Sequence, residues 1–437
     1  MKKRFGLVAI VIYAVLLLFP GRTLFPQTKE DIALHYRLSL DKRTAPFTTE
    51  VLRLTQAAWK DLHGVSFDLE GYRQRIENLA QTLRERLRGI QDPQKTLEII
   101  RQHLFQELGF FGLPEDERNP ERSFLNLVLD HKRGNCLGLS LLYLSLGEYL
   151  NLPLSGVMVP KHFFIRYQKD DTSYNVETTS QGAILPDTFY HHRFRIPEGN
   201  PLYLRTLSQN ETLGALYNNL GLAYYATGLF DQAIQAYTEA ITRLPHFSEA
   251  YSNRALAYAT LGTYDQALAD ANQALALNPL SPHAYLSQSF AAFSQNHYDE
   301  AISFANQALA LDPQSPEAYF LRGFSYLGKG LPEKALADAN QALNLLPHFA
   351  EAYFLRGMIH SSQGLHDAAI SDYRSALERK PQLAIVHYHL GLAYETKGSL
   401  PDAIAAYQTF LQKAPPSLAP YANDARERIK RLQGKLP

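Results

Sequence analysis

A turn residue recurs at Gly228, Gly262, Asn296, Gly330, Gly364 and Gly398, and a proline at Pro245, Pro279, Pro313, Pro347, Pro381 and Pro415. Every step is 34 residues. Alanine keeps the same register at Ala233, Ala267, Ala301, Ala335, Ala369 and Ala403, where only a small side chain lets two helices approach closely. A strict period of this length marks one helical hairpin repeated six times. None of the six can bury its apolar face alone, so the hairpins must stack on their neighbours.

Within the first unit, Tyr217, Leu220, Gly221, Tyr224, Ala233, Tyr237, Ala240 and Pro245 match the pattern of the tetratricopeptide repeat, and residues 214–417 resemble that family. The resemblance implies an all-α right-handed solenoid that binds a protein or peptide segment along the first helix of each repeat. The sixth unit departs most, with His387 in place of tyrosine and Phe410 in place of alanine. Beyond it, residues 418–437 are predicted to form a polar capping helix, Tyr421 to Leu432, whose Arg426, Arg428, Lys430 and Arg431 lie on a solvated face.

Six apolar residues recur at offsets that put them on the inner face of the solenoid: Leu286, Phe290 and Phe293, then Phe320 and Phe324, then Phe354, with Met358 beside it. They are predicted to line a partner groove, the competing reading being packing between hairpins. The lysine and asparagine set by which some tetratricopeptide arrays hold a terminal carboxylate is absent here. The expected occupant is therefore an apolar peptide or the chain's own N-terminal domain.

At 437 residues the chain is too long for one ordinary core, which requires two or more domains. Lys plus Arg and Asp plus Glu are balanced at 43 each, so no global basic field draws nucleic acid. No phosphate-binding or dinucleotide loop and no basic stripe with interleaved aromatics is present, and no cofactor is implied. One cysteine excludes an intramolecular disulfide. His191 and His192, adjacent in a polar loop and without a second cysteine, do not make a zinc site, and no metal is expected.

The first 25 residues carry Lys2-Lys3-Arg4, an apolar run from Phe5 to Phe19 and the breaker Pro20-Gly21. This is the pattern of an export signal, either a cleaved peptide or an uncleaved anchor. It predicts an exported protein of the bacterial periplasm or cell envelope, with attachment to the inner membrane as the second possibility.

Between these segments, residues 45–205 read as an α+β domain. From about Thr48 to Leu108 apolar residues recur with helical spacing, as in Leu79, Leu83 and Leu87 and in Leu97, Ile100 and Leu104. A glycine-bearing loop, Arg133-Gly-Asn-Cys136, then enters an apolar helix that runs to Leu150. Two strands follow, His162 to Gln168 and Tyr174 to Thr178, joined by the turn Lys169 to Ser173. A thiol at a helix start is biased toward thiolate by the positive end of the helix, and a nearby imidazolium adds to the effect.

These residues resemble the transglutaminase-like superfamily, and its SirB1-like branch in particular. The motifs are Ser123-Phe-Leu-Asn-Leu-Val-Leu129, Arg133-Gly-Asn-Cys-Leu-Gly-Leu-Ser140, Leu152-Pro-Leu-Ser-Gly-Val157 and His162-Phe-Phe-Ile-Arg-Tyr167, and the likeness covers about Thr48 to Leu204. It implies a papain-like order of cysteine, histidine and acid: Cys136 as nucleophile, His162 as base and Glu177 as the orienting acid. Aspartate is the more usual third member, with Asp170 and Asp171 as rivals placed in a turn. The Cys136 N–H is the natural first donor to an oxyanion. Asn135 and Asn126 are candidates for the second, while Arg133 is expected to support the loop or the helix cap.

Two functions follow. One is a thiol hydrolase or transamidase acting on peptide or isopeptide amides through a Cys136 thioester, with the array holding substrate or partner. The other is a non-catalytic envelope scaffold that uses both parts for protein binding.

Overall fold

The computed structural model describes residues 46–113, 119–415 and 418–434. The predicted export segment, residues 1–25, lies outside the described residues. The chain divides into two compact units, one running up to Arg254 with Ala276–Pro279, the other Ala255–Leu275 with Leu280 onward.

The first unit opens with three helices, α1 (Phe47–His63), α2 (Leu69–Arg86) and α3 (Pro93–Arg101), the last continuing into a π-helical turn, Gln102–Glu107. A two-stranded parallel pair, β1 (Phe111–Gly112) with β2 (Arg133–Gly134), encloses a 3-10 turn, Pro120–Ser123, and α4 (Leu125–His131). Helix α5 (Cys136–Leu150) follows directly. Its residues from Leu137 to Gly147 are all buried, as expected of a helix that is apolar all round. Gly138 allows it to lie against the Arg122 carbonyl, which a Cβ at that position would strike.

A five-stranded antiparallel sheet of order β6-β5-β4-β3-β7 packs beside α5. Its strands are β3 (Leu154–Val159), β4 (His162–Lys169), β5 (Thr172–Glu177), β6 (Ala183–Leu185) and β7 (Thr206–Leu207). The two strands predicted from sequence are β4 and β5, with Asp170 at φ 51° in the turn between them. The sequence reading gave no strand to residues 154–159. It also expected a loop at His191-His192, where the chain forms α6 (Asp187–Arg193). That helix is anchored by a buried guanidinium: Arg166 donates to Asn175 Oδ1 (2.7 Å), to the Leu204 carbonyl (2.8 Å) and to Asp187 Oδ1 (2.6 Å).

Twelve helices follow among the described residues: α7 (Gln209–Ala226), α8 (Phe230–Arg243), α9 (Ser248–Thr260), α10 (Tyr264–Leu277), α11 (Pro282–Ser294), α12 (Tyr298–Leu311), α13 (Pro316–Gly328), α14 (Pro332–Leu345), α15 (Ala350–Ser362), α16 (His366–Arg379), α17 (Ala384–Lys397) and α18 (Leu400–Lys413). They form a tetratricopeptide solenoid. The six turn residues picked out by the period all take left-handed backbone, the five glycines at φ 76–81° and Asn296 at 64°, a conformation that favours glycine and then asparagine. The six register alanines are fully buried. The first hairpin, α7 with α8, belongs to the same compact unit as the sheet, where Tyr224 donates to Asp61 on α1 (2.7 Å).

The predicted groove lining is corrected in the second unit. Phe290, Phe293, Phe320, Phe324 and Phe354 are at most 1% exposed, and Leu286 is partly buried against the same core. The rings pack on one another, Phe293 on Phe324, Phe320 on Phe324 and Phe320 on Phe349. Burying such rings against each other removes more apolar surface from water than lining an open channel would. A last helix, α19 (Ala419–Gln433), buries Ala422, Ala425 and Leu432 and directs Arg428 and Arg431 to Glu395.

Candidate active site

Cys136 is the first residue of α5 and is partly exposed. The helix start is set by Asn135, whose Oδ1 accepts from the Gly138 N–H (2.8 Å) and whose carbonyl accepts from Leu139 (3.1 Å). As a first-turn group the Cys136 N–H has no acceptor within its own helix. Asn135, weighed as a second oxyanion donor, thus serves as the helix cap. The other candidate, Asn126, is 2% exposed in α4. Arg133 lies over the Phe111 ring at 4.6 Å, bracing the loop against β1.

His162 is the first residue of β4, paired with Val159 across a two-residue turn. Its ring stacks on Phe194 at 5.0 Å between centroids. Nε2 faces Glu177 Oε2 at 2.7 Å, and Cys136 is near enough to the ring to favour its charged form. With Nε2 taken by the carboxylate, Nδ1 is the nitrogen left for the thiol. Burial works against a charged imidazole, but the hydrogen bonds and charges of Cys136 and Glu177 push its pKa up to about 10.

Glu177 ends β5 and is 2% exposed. Its Oε1 accepts from the amide (3.1 Å) and the hydroxyl of Thr179, and its Oε2 accepts from the Tyr190 hydroxyl at 3.3 Å as well as from His162. Burial raises this carboxyl, yet His162 and Thr179 outweigh it and hold it below the usual carboxylate range. The glutamate reaches His162 because β5 turns directly into a 3-10 turn, Thr178–Ser180, with Glu177 as its cap. That turn lies so close to β1 that a Cβ on Gly112 would fall 2.6 Å from the Thr179 Cα.

The three side chains picked out in the sequence are thus brought together in one place. Sequence reasoning missed the groups that hold them: Thr178, Thr179, Tyr190 on α6, and Ser140 one turn after the cysteine. Among the described residues no group of three or more His, Cys, Asp or Glu side chains is arranged to hold a metal ion.

The profile of the transglutaminase-like superfamily matches residues 70–213, and that of the tetratricopeptide repeat matches residues 218–282, 254–316, 320–384 and 362–417. UPF0162 proteins from two Xylella fastidiosa strains, 9a5c and Temecula1, are each 26% identical over 220 residues, covering 48% of this chain and 76% of their own. Among solved structures, the thermophilic tetratricopeptide protein TTC0263 of Thermus thermophilus is 25% identical over 41% of this chain and 98% of its own, with a TM-score of 0.39. YrrB, described as a tetratricopeptide protein with an unusual peptide-binding site, is 24% identical over 44% of this chain and 99% of its own, with a TM-score of 0.32. Residues 70–213 are therefore a transglutaminase-like domain, and residues 218–417 are the tetratricopeptide repeats that follow it.

Proposed function

We propose that the chain is a cysteine-dependent acyl-transfer enzyme acting on peptide or isopeptide amides, with the repeats binding a protein partner or substrate. One observation carries this reading: the His162 imidazole is held through Nε2 by the buried Glu177 at 2.7 Å, and the same ring feels the partly exposed residue Cys136. The carboxylate fixes the tautomer and raises imidazole basicity. The Cys136 thiolate attacks the amide carbonyl, the Cys136 N–H faces the developing oxyanion, and the imidazolium gives its proton to the leaving amine as the C–N bond breaks. Water or a second amine then resolves the thioester and returns a proton to the pair. The same proposal places the protein outside the bacterial cytoplasm, on the strength of Lys2-Lys3-Arg4 and the apolar run from Phe5 to Phe19.

The test is the pH dependence of Cys136 alkylation by iodoacetamide in the wild type and in His162→Ala, together with intact-mass detection of an acyl adduct after exposure to p-nitrophenyl acetate. Alkylation that titrates well below pH 8 and is lost in the variant, with an adduct mapped to Cys136, is the expected result. A thiol that titrates near about 8.5 in both proteins, with no adduct, overturns the enzyme reading and leaves a binding scaffold.

A further inference from the structure

The hairpin that presents His162 closes on only two residues, Pro160 and Lys161, because Val159 is the strand partner of His162. Lys161 holds φ at 63°, a region that a residue with a long side chain enters at a cost. The Lys161 backbone N–H donates to Oε1 of Glu249 at 3.3 Å. Glu249 sits in the first turn of α9, the first helix of the second repeat, and belongs to the same compact unit as the sheet.

Glu249 is itself held in place. Its Oε2 accepts from the Tyr203 hydroxyl (2.9 Å) and from the Ser248 hydroxyl (3.3 Å). Burial raises its carboxyl above the usual carboxylate range, against the pull of these hydrogen bonds. A surface hairpin amide is ordinarily satisfied by water, whereas here its acceptor is a half-buried carboxylate from 88 residues away that Tyr203 and Ser248 already hold.

We propose that Glu249 is a positioning residue for the acyl-transfer site, holding the 160–161 turn so that the His162 imidazole stays between Cys136 and Glu177. This rests on the reading of Cys136 and His162 as a reactive pair. It makes the start of the second repeat a part of the site's support, so that the domain and the beginning of the array form one working unit.

The test uses the full-length chain and measures iodoacetamide alkylation of Cys136 against pH in the wild type, Glu249→Ala, Glu249→Asp, Glu249→Gln and His162→Ala. The expected wild-type profile has an acid limb that His162→Ala lacks. Glu249→Ala, which removes the acceptor, and Glu249→Asp, which keeps the charge but shortens the reach, should both lose most of that limb and react about tenfold or more slowly near pH 6. Glu249→Gln still offers an oxygen to the Lys161 N–H and should keep the limb. Circular dichroism identifies any variant that fails to fold, and the Asp and Gln pair then carries the comparison. An acid limb that survives in folded Glu249→Asp or Glu249→Ala while His162→Ala loses it overturns the positioning role and leaves the reactive pair intact. A wild type without an acid limb removes the pair and this proposal with it.

Discussion

The Thr178 hydroxyl lies 3.1 Å from the Ser140 hydroxyl and 3.4 Å from the Cys136 carbonyl, and both side chains are fully buried. Thr178 follows Glu177 in the chain, and Ser140 is one helical turn past Cys136. This hydroxyl pair therefore pins the strand that carries the acid to the helix that carries the thiol. A carboxylate, an imidazole and a thiol supplied by three separate elements hold their spacing only if the elements themselves cannot slide.

Thr178→Val keeps the shape of the side chain and removes its hydroxyl, leaving the buried Ser140 hydroxyl without this partner. The expected loss of stability is about 1–3 kcal/mol, read as a lower urea midpoint at unchanged slope. Ser140→Ala combined with Thr178→Val should cost less than the sum of the two single changes, since each already breaks the same bond.

The charge on His162 links stability to pH. Its pKa is 6.5 in the unfolded chain and about 10 in the folded protein, so the native state holds a proton that the unfolded chain releases. The stabilisation is complete below about pH 6.5 and is lost as pH rises toward about 10. The urea midpoint of the wild type should fall across that window, and that of His162→Gln should stay flatter.

Arg166→Met should be among the most damaging changes in the domain, at about 3 kcal/mol. It strips the buried guanidinium from Asn175, the Leu204 carbonyl and Asp187 at once. Asp187→Asn should cost about 1 kcal/mol or less, because the Asp187 side chain is 54% exposed and water replaces much of what it loses. Thermal unfolding of the two variants distinguishes the cases.

In the repeats, Gly357 faces Tyr373 and Gly391 faces Tyr407, and a Cβ on either glycine would sit 2.6 Å from the tyrosine ring. Gly357→Ala should therefore destabilise by about 1–3 kcal/mol through overpacking. Coupling it with Tyr373→Ala recreates the pair already present at Ala255 and Ala271. The double variant should lose the steric clash while paying for the missing ring, so the two effects are expected to be strongly non-additive by chemical denaturation.

The repeat was legible because a helical hairpin is local: its turn glycines, register alanines and prolines constrain one another over 34 residues. Cys136 and His162 were legible for a similar reason, since a helix start and a strand start can each be recognised from short patterns, while Glu177 came from the resemblance to the transglutaminase-like superfamily. Strand β3 was missed because Leu154–Val159, buried over its last four residues, has no polar alternation to mark it as a strand. Helix α6 was missed because its seven residues hold their place through Tyr190 and through Arg166 on another strand.

The inner-face phenylalanines show the boundary most clearly. Their spacing put them on one face of their helices, but spacing does not say whether that face meets solvent or a neighbouring hairpin. The sequence by itself determined the repeat, the helix that starts at Cys136 and the strands that carry His162 and Glu177, all of which rest on patterns within a few turns of chain. The tertiary structure decided which rings are covered, which nitrogen of His162 faces Glu177, and that Glu249 supports the turn before His162. Those depend on groups from distant segments meeting at hydrogen-bond distance, which no local pattern encodes.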